Sequence, residues 1–162
     1  KNKFSDGIIF PNNLFIWATM NSSDQGVLPM DTAFKRRWEQ KYFGINDAYQ
    51  DNISKFLTFS KIKNGDSSEI SWNDMRQRIN AKLIQLNIPE DKLLGPFFMS
   101  ESLLKSDSEI LTASFETKVI MYLFDDVMKH NRLGFFNIEP ERMIYSEIVK
   151  EFRTKGIEAF KI

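Results

Sequence analysis

The chain of 162 residues contains no cysteine and a single histidine, His130. The first absence excludes disulfides and thiolate metal sites and suits a reducing compartment. The second leaves no basis for a histidine-built metal site or for Ser-His-Asp chemistry. No apolar run approaches the ~18–20 residues that cross a bilayer, and no signal-peptide pattern opens the chain. The expectation is therefore a soluble, cytoplasmic protein with no membrane partner. Net charge is also missing: 22 Lys and Arg balance 22 Asp and Glu, so the overall field argues neither for nor against nucleic acid. Most telling, no Gly-rich phosphate loop of the G-x-x-x-x-G-K-[ST] type occurs anywhere.

What is present is a core. Hydrophobic residues make up 42% of the chain and aromatics 14%, with fifteen Phe, which argues against disorder. The length fits one domain, or one small domain plus part of another. Leu14 to Met20 is an almost uninterrupted apolar run bounded by Asn13 and Asn21. Such a run predicts a strand covered on both faces, as in a parallel α/β sheet. Ser22 to Pro29 is turn-rich. Asp31 or Thr32 can cap a short helix reaching about Arg37, and Trp38 to Ile45 is expected to return as a second strand. A doubly covered strand needs sheet neighbours, and the chain supplies at most one. The rest of the sheet is expected upstream.

From Asp47 onward the pattern turns helical. Ala48 to Phe59 reads as a helix with Ile53, Phe56 and Leu57 on one side, and the KNGDSSE segment that follows reads as a loop. Ser71 with Asp74 resembles a capping box. Trp72, Met75, Ile79, Leu83 and Leu86 then trace one face of a helix that Pro89 stops. Gly95 and Pro96 break the next apolar segment into short turns and half-helices. A longer helix is expected from about Thr112 to Lys129, with Phe115, Val119, Tyr122, Leu123 and Val127 inward, ended by Asn131 and Gly134. Pro140 opens the last helix and Gly156 closes it. No internal repeat or low-complexity segment is visible.

The block ATMNSSD…PMDTAFKRRW resembles the AAA+ nucleoside triphosphatases, most closely their McrB-type branch. There a strand ends in T-M-N, and an acidic residue, a short helix and R-R-[FW] follow at this spacing. LLGPFFMS, VIMYLFDDV and FRTKGIEAF fall in the order of that family's lid segments. The resemblance implies a mainly α chain with a small truncated α/β portion. Residues 1–46 would be the end of the AAA+ core, with one or two strands, and residues 47–162 a helical lid bundle. It also implies that Asn21 is sensor 1, the amide orienting the attacking water. Arg36 and Arg37 would lie in the arginine-finger segment, acting on nucleotide held by a neighbouring subunit. One would be the finger and the other would make an intersubunit or structural pair. Mg²⁺ and GTP or ATP would be cofactors of the full-length protein. The partners implied are a homo-oligomeric ring, a hexamer, together with a nuclease subunit and DNA. Two departures stand out. The phosphate loop and the acidic Mg²⁺-binding strand are missing, so this stretch alone is expected to be inactive and to hold no cofactor. Gly95-Pro96-Phe97-Phe98 lacks the imidazole and hydroxyl of the family's G-H-S-Y-F, and Arg76 or Arg78 stands as a substitute contact.

Plainer readings accompany each of these. Asn21 can simply end a strand and begin an Asx turn. Arg36 and Arg37 suit the negative end of a helix dipole. Asp125 and Asp126 are adjacent on a helix and so point in different directions, which favours a solvated face or a salt bridge over a metal site. His130 reads as a cap or surface residue, Phe97-Phe98-Met99 as bundle core, and Trp38 and Trp72 as core anchors. The competing function is a non-enzymatic helical module binding protein or DNA. A nuclease reading ranks below both, because no carboxylate and lysine cluster at metal-site spacing stands out.

Overall fold

A computed structural model describes residues 11–19, 31–47, 59–66 and 68–162. The chain divides into two compact units, Lys1–Gln40 and Lys41–Ile162. In the first, the backbone N–H of Leu14 donates to Pro11 O at 3.1 Å, closing a turn. Leu14–Thr19 then runs on without the expected strand pairing, and Leu14 to Trp17 are 46–92% exposed. The reason is physical: a strand exists through its neighbours, and among the described residues none pairs with this run. Thr32–Lys35 forms a single helical turn, α1.

The expected strand from Trp38 to Ile45 is likewise not formed. Its second half belongs to the second unit, where side chains rather than a ladder hold it. Tyr42 donates its hydroxyl to Glu90 Oε2 at 2.6 Å, and Ile45 N–H donates to Glu90 Oε1 at 3.3 Å. That carboxylate also holds the Tyr42 phenol above its ordinary pKa. The expected helix from Ala48 lies outside the described residues, save for Phe59 at its end.

The KNGDSSE segment, read from the sequence as a loop, instead contributes to both strands of a hairpin in the second unit. β1 (Lys61–Asn64) pairs antiparallel with β2 (Ser68–Ser71), placing Ile62 opposite Ile70 and Asn64 opposite Ser68. Lys, Ser, Asn and Glu are poor strand formers; only Ile62 among the eight strand positions is a buried apolar residue. Tertiary contacts supply what propensity does not. Lys63 N–H donates to the Thr112 hydroxyl at 2.8 Å, and Ser60 donates to Leu104 O at 2.7 Å.

Ser71 both ends β2 and caps α2 (Trp72–Gln85). Its Oγ accepts from Asp74 N–H at 3.0 Å and donates to the Asp74 carboxylate at 2.7 Å. Trp72, Met75, Ile79 and Leu83 are fully buried along one stripe. The helix stops before Pro89, at Asn87, which takes a left-handed φ of 58°. Ile88 N–H reaches back to Leu83 O and Asn87 N–H to Ile84 O, the paired closing bonds of a Schellman turn. Short turns follow at Glu90–Lys92 and at α3 (Glu101–Leu104).

The long helix begins earlier than its apolar pattern predicts. Asp107 accepts from Ile110 N–H at 2.9 Å and starts α4 (Ser108–Ser114). The coil continues through two stretches of widened turns, Phe115–Ile120 and Leu123–Val127. The last of these closes with Met128 N–H on Leu123 O at 2.8 Å, five residues back. Gly134 does not end it but sits inside a separate turn, α5 (Arg132–Phe135). Pro140 starts a short 3₁₀ turn, and the last helix, α6 (Tyr145–Lys155), begins after it. Phe136 and Phe160 then meet in an antiparallel bridge, with Asn137 N–H on Ala159 O and Lys161 N–H on Phe135 O, both 2.8 Å. Phe115, Phe135, Phe136, Phe152 and Phe160 form one buried ring cluster, with centroid spacings of 5.0–6.0 Å between successive pairs. Among the described residues no helix is long and apolar enough to cross a membrane.

Two glycines join the ends of this unit. Gly65 in the hairpin turn has φ +72° and Gly156 after α6 has φ +59°. A Cβ on Gly156 would lie 2.5 Å from the Asn64 carbonyl carbon, while Asn64 Oδ1 accepts from Ile157 N–H at 2.6 Å. Gly156→Ala thus combines backbone strain with a clash against backbone. It is expected to cost about 2 kcal/mol or more, read as a lower urea midpoint.

Around α6, Arg142 bridges Glu147 at 2.6 Å and Glu151 at 3.0 Å. Lys150, with Arg142, holds the Glu147 carboxyl below its usual range; Lys155, with Arg142, does the same for Glu151. A carboxyl lowered in the folded state stabilises above its unfolded pKa of about 4.3 and loses that contribution as pH falls through the folded value. Arg142→Ala is therefore expected to narrow the stability difference between pH 7 and pH 3, and high salt to shrink the effect further. Denaturant titrations at the two pH values measure it.

Candidate functional site

The candidate residues from the sequence separate cleanly. Asn21 lies outside the described residues. Arg36 and Arg37 follow α1, whose first turn is capped by Asp31 Oδ1 accepting from Ala33 N–H at 3.3 Å. Arg36 retains helical backbone angles, with its N–H on Thr32 O at 3.2 Å, and Arg37 N–H closes on Phe34 O at 3.0 Å. Phe34 and Trp38, four residues apart, meet in a tilted contact, 5.8 Å between centroids. Lys35, Arg36 and Arg37 are all exposed. A one-turn helix carrying three successive cations presents charge at its negative end, where the dipole favours it. Guanidinium groups so placed can offer several fixed hydrogen bonds to an oxyanion.

In the second unit the structure reveals a polar fastening that pattern reading missed. Asn73, Arg76 and Asn80 recur at helical spacing on α2, beside the apolar stripe, and all three are buried. Asn80 accepts from Leu94 N–H at 2.8 Å and donates back to Leu94 O at 2.9 Å. Arg76 donates to Asn46 Oδ1 at 3.0 Å, to Leu94 O at 3.2 Å and to Asn73 Oδ1 at 3.0 Å. Trp72 Nε1 donates to Pro96 O at 2.8 Å. Together they hold the Leu93–Met99 loop against α2. Within it Met99 is fully buried, Phe98 is half-buried on Tyr122 at 5.0 Å, and Phe97 stays 41% exposed. Arg76 is thus a strut inside its own unit, while Arg78 is exposed. The available signal was the Asn-x-x-Arg-x-x-x-Asn spacing, which reads equally as an ordinary solvated face.

A second feature is a groove of about 370 Å³ between the hairpin turn, α4 and α6. Its floor is the bidentate pair of Glu116 with Arg153, at 2.9 and 2.7 Å, with Glu116 almost fully buried. Glu116 holds the Arg153 guanidinium above its ordinary pKa. Tyr145 donates its hydroxyl to Glu116 O at 3.0 Å. On the rim Lys63 pairs with Glu109 at 2.8 Å. Each of the two cations faces a carboxylate, and Asp66 adds a third acid to the lining. The pairs brace the helices that carry them.

The acidic pair behaves as a surface feature. Asp125 lies 3.8 Å from Arg132, whose guanidinium sits 3.8 Å over the Phe124 ring and donates to Phe124 O. His130 is exposed. Among the described residues no group of three His, Cys, Asp or Glu could hold a metal ion.

No family model matches the chain, and no solved structure matches it. Over 154 residues, 94% of this chain, it is 42% identical to the Type II restriction enzyme BsuMI component YdiS of Bacillus subtilis (strain 168). The chain spans 41% of that relative's length.

Asn80 carries the sharpest energetic consequence of the site geometry. Asn80→Ala leaves the buried Leu94 N–H without its partner and the Leu94 carbonyl with Arg76 alone. A loss of about 1–3 kcal/mol is expected. Faster amide exchange confined to the Leu93–Met99 loop, measured against unchanged exchange in α6, distinguishes a released loop from general loosening.

Proposed function

We propose that this chain is the C-terminal part of a subunit of a restriction system that hydrolyses a nucleoside triphosphate. In this reading its helical unit is the lid and Arg36 or Arg37 acts on nucleotide bound by an adjoining protomer. The observation that carries the restriction role is the similarity to a restriction enzyme component along nearly the whole chain. The triphosphatase reading is supported by the T-M-N…R-R-W block and by the exposure of both arginines on a capped turn. Exposed guanidinium is what a charge supplied to a neighbour requires.

The division of labour follows from the chemistry. Phosphoryl transfer asks for positioning and charge stabilisation rather than covalent work, and an arginine supplied in trans is worth roughly 10³–10⁵ in rate. Mg²⁺ and GTP or ATP, when bound to the native protein, would supply the phosphoryl group and the countercharge for its transfer. The sequence has no phosphate loop, so this reading assigns the holding of both groups to other segments of the native polypeptide. What this chain contributes is cationic charge, an amide at Asn21 and a braced lid. In the assembly a ring, read as a hexamer, would couple hydrolysis to movement along DNA or to a nuclease subunit.

Arg36→Ala with Arg37→Ala, made in the native polypeptide, is expected to lower GTP or ATP turnover by at least about 10³. Light scattering on the same samples separates loss of the finger, with oligomer size kept, from loss of an intersubunit pair, with oligomer size reduced. Wild-type turnover in the double variant rejects the finger assignment. Absence of turnover from the wild-type protein with either nucleotide favours the non-enzymatic helical binding module.

A further inference from the structure

Asn64 and Gly65 make the one Asn-Gly step in the sequence. They stand where β1 turns, against Gly156. An asparagine amide followed by glycine is chemically frail, because glycine has no side chain to screen its own nitrogen or to limit backbone rotation. Once its proton passes to solvent base, the Gly65 nitrogen can attack Asn64 Cγ. An N–Cγ bond forms, the Cγ–Nδ2 bond breaks, and Nδ2 leaves as ammonia after taking a proton from water. Water then opens the cyclic imide. Cleavage of the new N–Cγ bond leaves an ordinary aspartate at position 64. Cleavage of the bond from the Gly65 nitrogen to the backbone carbonyl leaves isoaspartate, with the chain routed through Cβ and Cγ and a free α-carboxylate.

The folded unit obstructs this attack. The Asn64 amide is held at both ends: Oδ1 accepts from Ile157 N–H at 2.6 Å, and Nδ2 donates to Ser68 Oγ at 3.1 Å. Its backbone is held as well, paired with Ser68 in the hairpin and accepting from the Ser68 hydroxyl at 2.8 Å. Gly65 lies so close to the end of α6 that a Cβ on it would stand 2.8 Å from Thr154 O. Reaction therefore requires the hairpin and the end of α6 to part. The product then resists closing again. Isoaspartate adds a methylene to a backbone that a Cβ on Gly156 would already approach to 2.5 Å. Even the ordinary aspartate puts an oxygen where Nδ2 donated, facing a Ser68 hydroxyl whose proton is committed to Asn64 O.

We propose that Asn64 is a site of spontaneous covalent modification guarded by its contacts with Gly156 and Ile157. It is inert while they hold and converts to isoaspartate when they part, which locks the hairpin undocked. The inference rests on these contacts alone and stands or falls independently of nucleotide turnover.

Peptide mapping of the native gene product, aged at mildly alkaline pH in heavy-oxygen water, tests it, since each conversion then carries a heavy oxygen. A synthetic peptide of residues 61–68 is the reference. Asn64 is expected to convert at least about tenfold more slowly in the protein than in the peptide. Urea below the unfolding midpoint is expected to raise the protein's rate toward that of the peptide. Equal rates in protein and peptide overturn the proposal, and so does a rate in the protein that urea leaves unchanged. Amide exchange at Ile157 reads the locking step. Fast exchange in the isoaspartate fraction, after return to native buffer, supports it; protection equal to that of unconverted protein overturns it.

Discussion

The helical unit depends on a contact between residues 93 positions apart: the Asn64 side chain accepting from the Ile157 amide, with Gly156 pressed against the Asn64 backbone. Both glycines at this seam adopt backbone angles that a side chain would strain, and both approach too closely to carry one. Because the seam closes, the weak β1–β2 hairpin acquires a floor, and α6 acquires a fixed end. The phenylalanine cluster fills the space so enclosed. Ion pairs such as Glu116 with Arg153 then brace the same region from the groove side. Without the seam, a hairpin of Lys, Ser, Asn and Glu would have little reason to persist in water.

The second unit also shows how a helix can serve two neighbours at once. One stripe of α2 buries Trp72, Met75, Ile79 and Leu83 in the core. The adjoining stripe offers amides and a guanidinium to the Leu93–Met99 loop. A loop interrupted by Gly95 and Pro96 cannot satisfy its own backbone, so side chains do it instead. The loop's position is thereby set by α2 rather than by its own conformational preference. The Leu93–Met99 loop is thus among the most firmly fastened parts of the unit.

What could be read from the sequence follows the reach of local physics. Ser71 with Asp74, the α2 stripe and the stop at Gly156 are set within a few residues, and all appear as expected. The end of the short helix near Arg36 and Arg37 was legible for the same reason. The hairpin was not, because its pairing rests on Thr112 and Gly156, far along the chain. The start of the long helix was missed by following apolar spacing and passing over Asp107 as a cap. Asn80 and Glu116 were missed because polar residues at helical spacing look alike whether buried or wet. Leu14–Thr19 and Trp38–Ile45 fail as strands for a different reason: propensity can nominate a strand, and only a neighbour can make one.

The seam also sets an order of events during synthesis. Asn64 leaves the ribosome long before Ile157, so the hairpin must wait for almost the whole unit before it can dock. Until then Phe135, Phe136 and Phe152 have no lid over them. Closure of the seam is thus a late, long-range contact, and the aromatic cluster gains its full cover only once the whole unit has been synthesised.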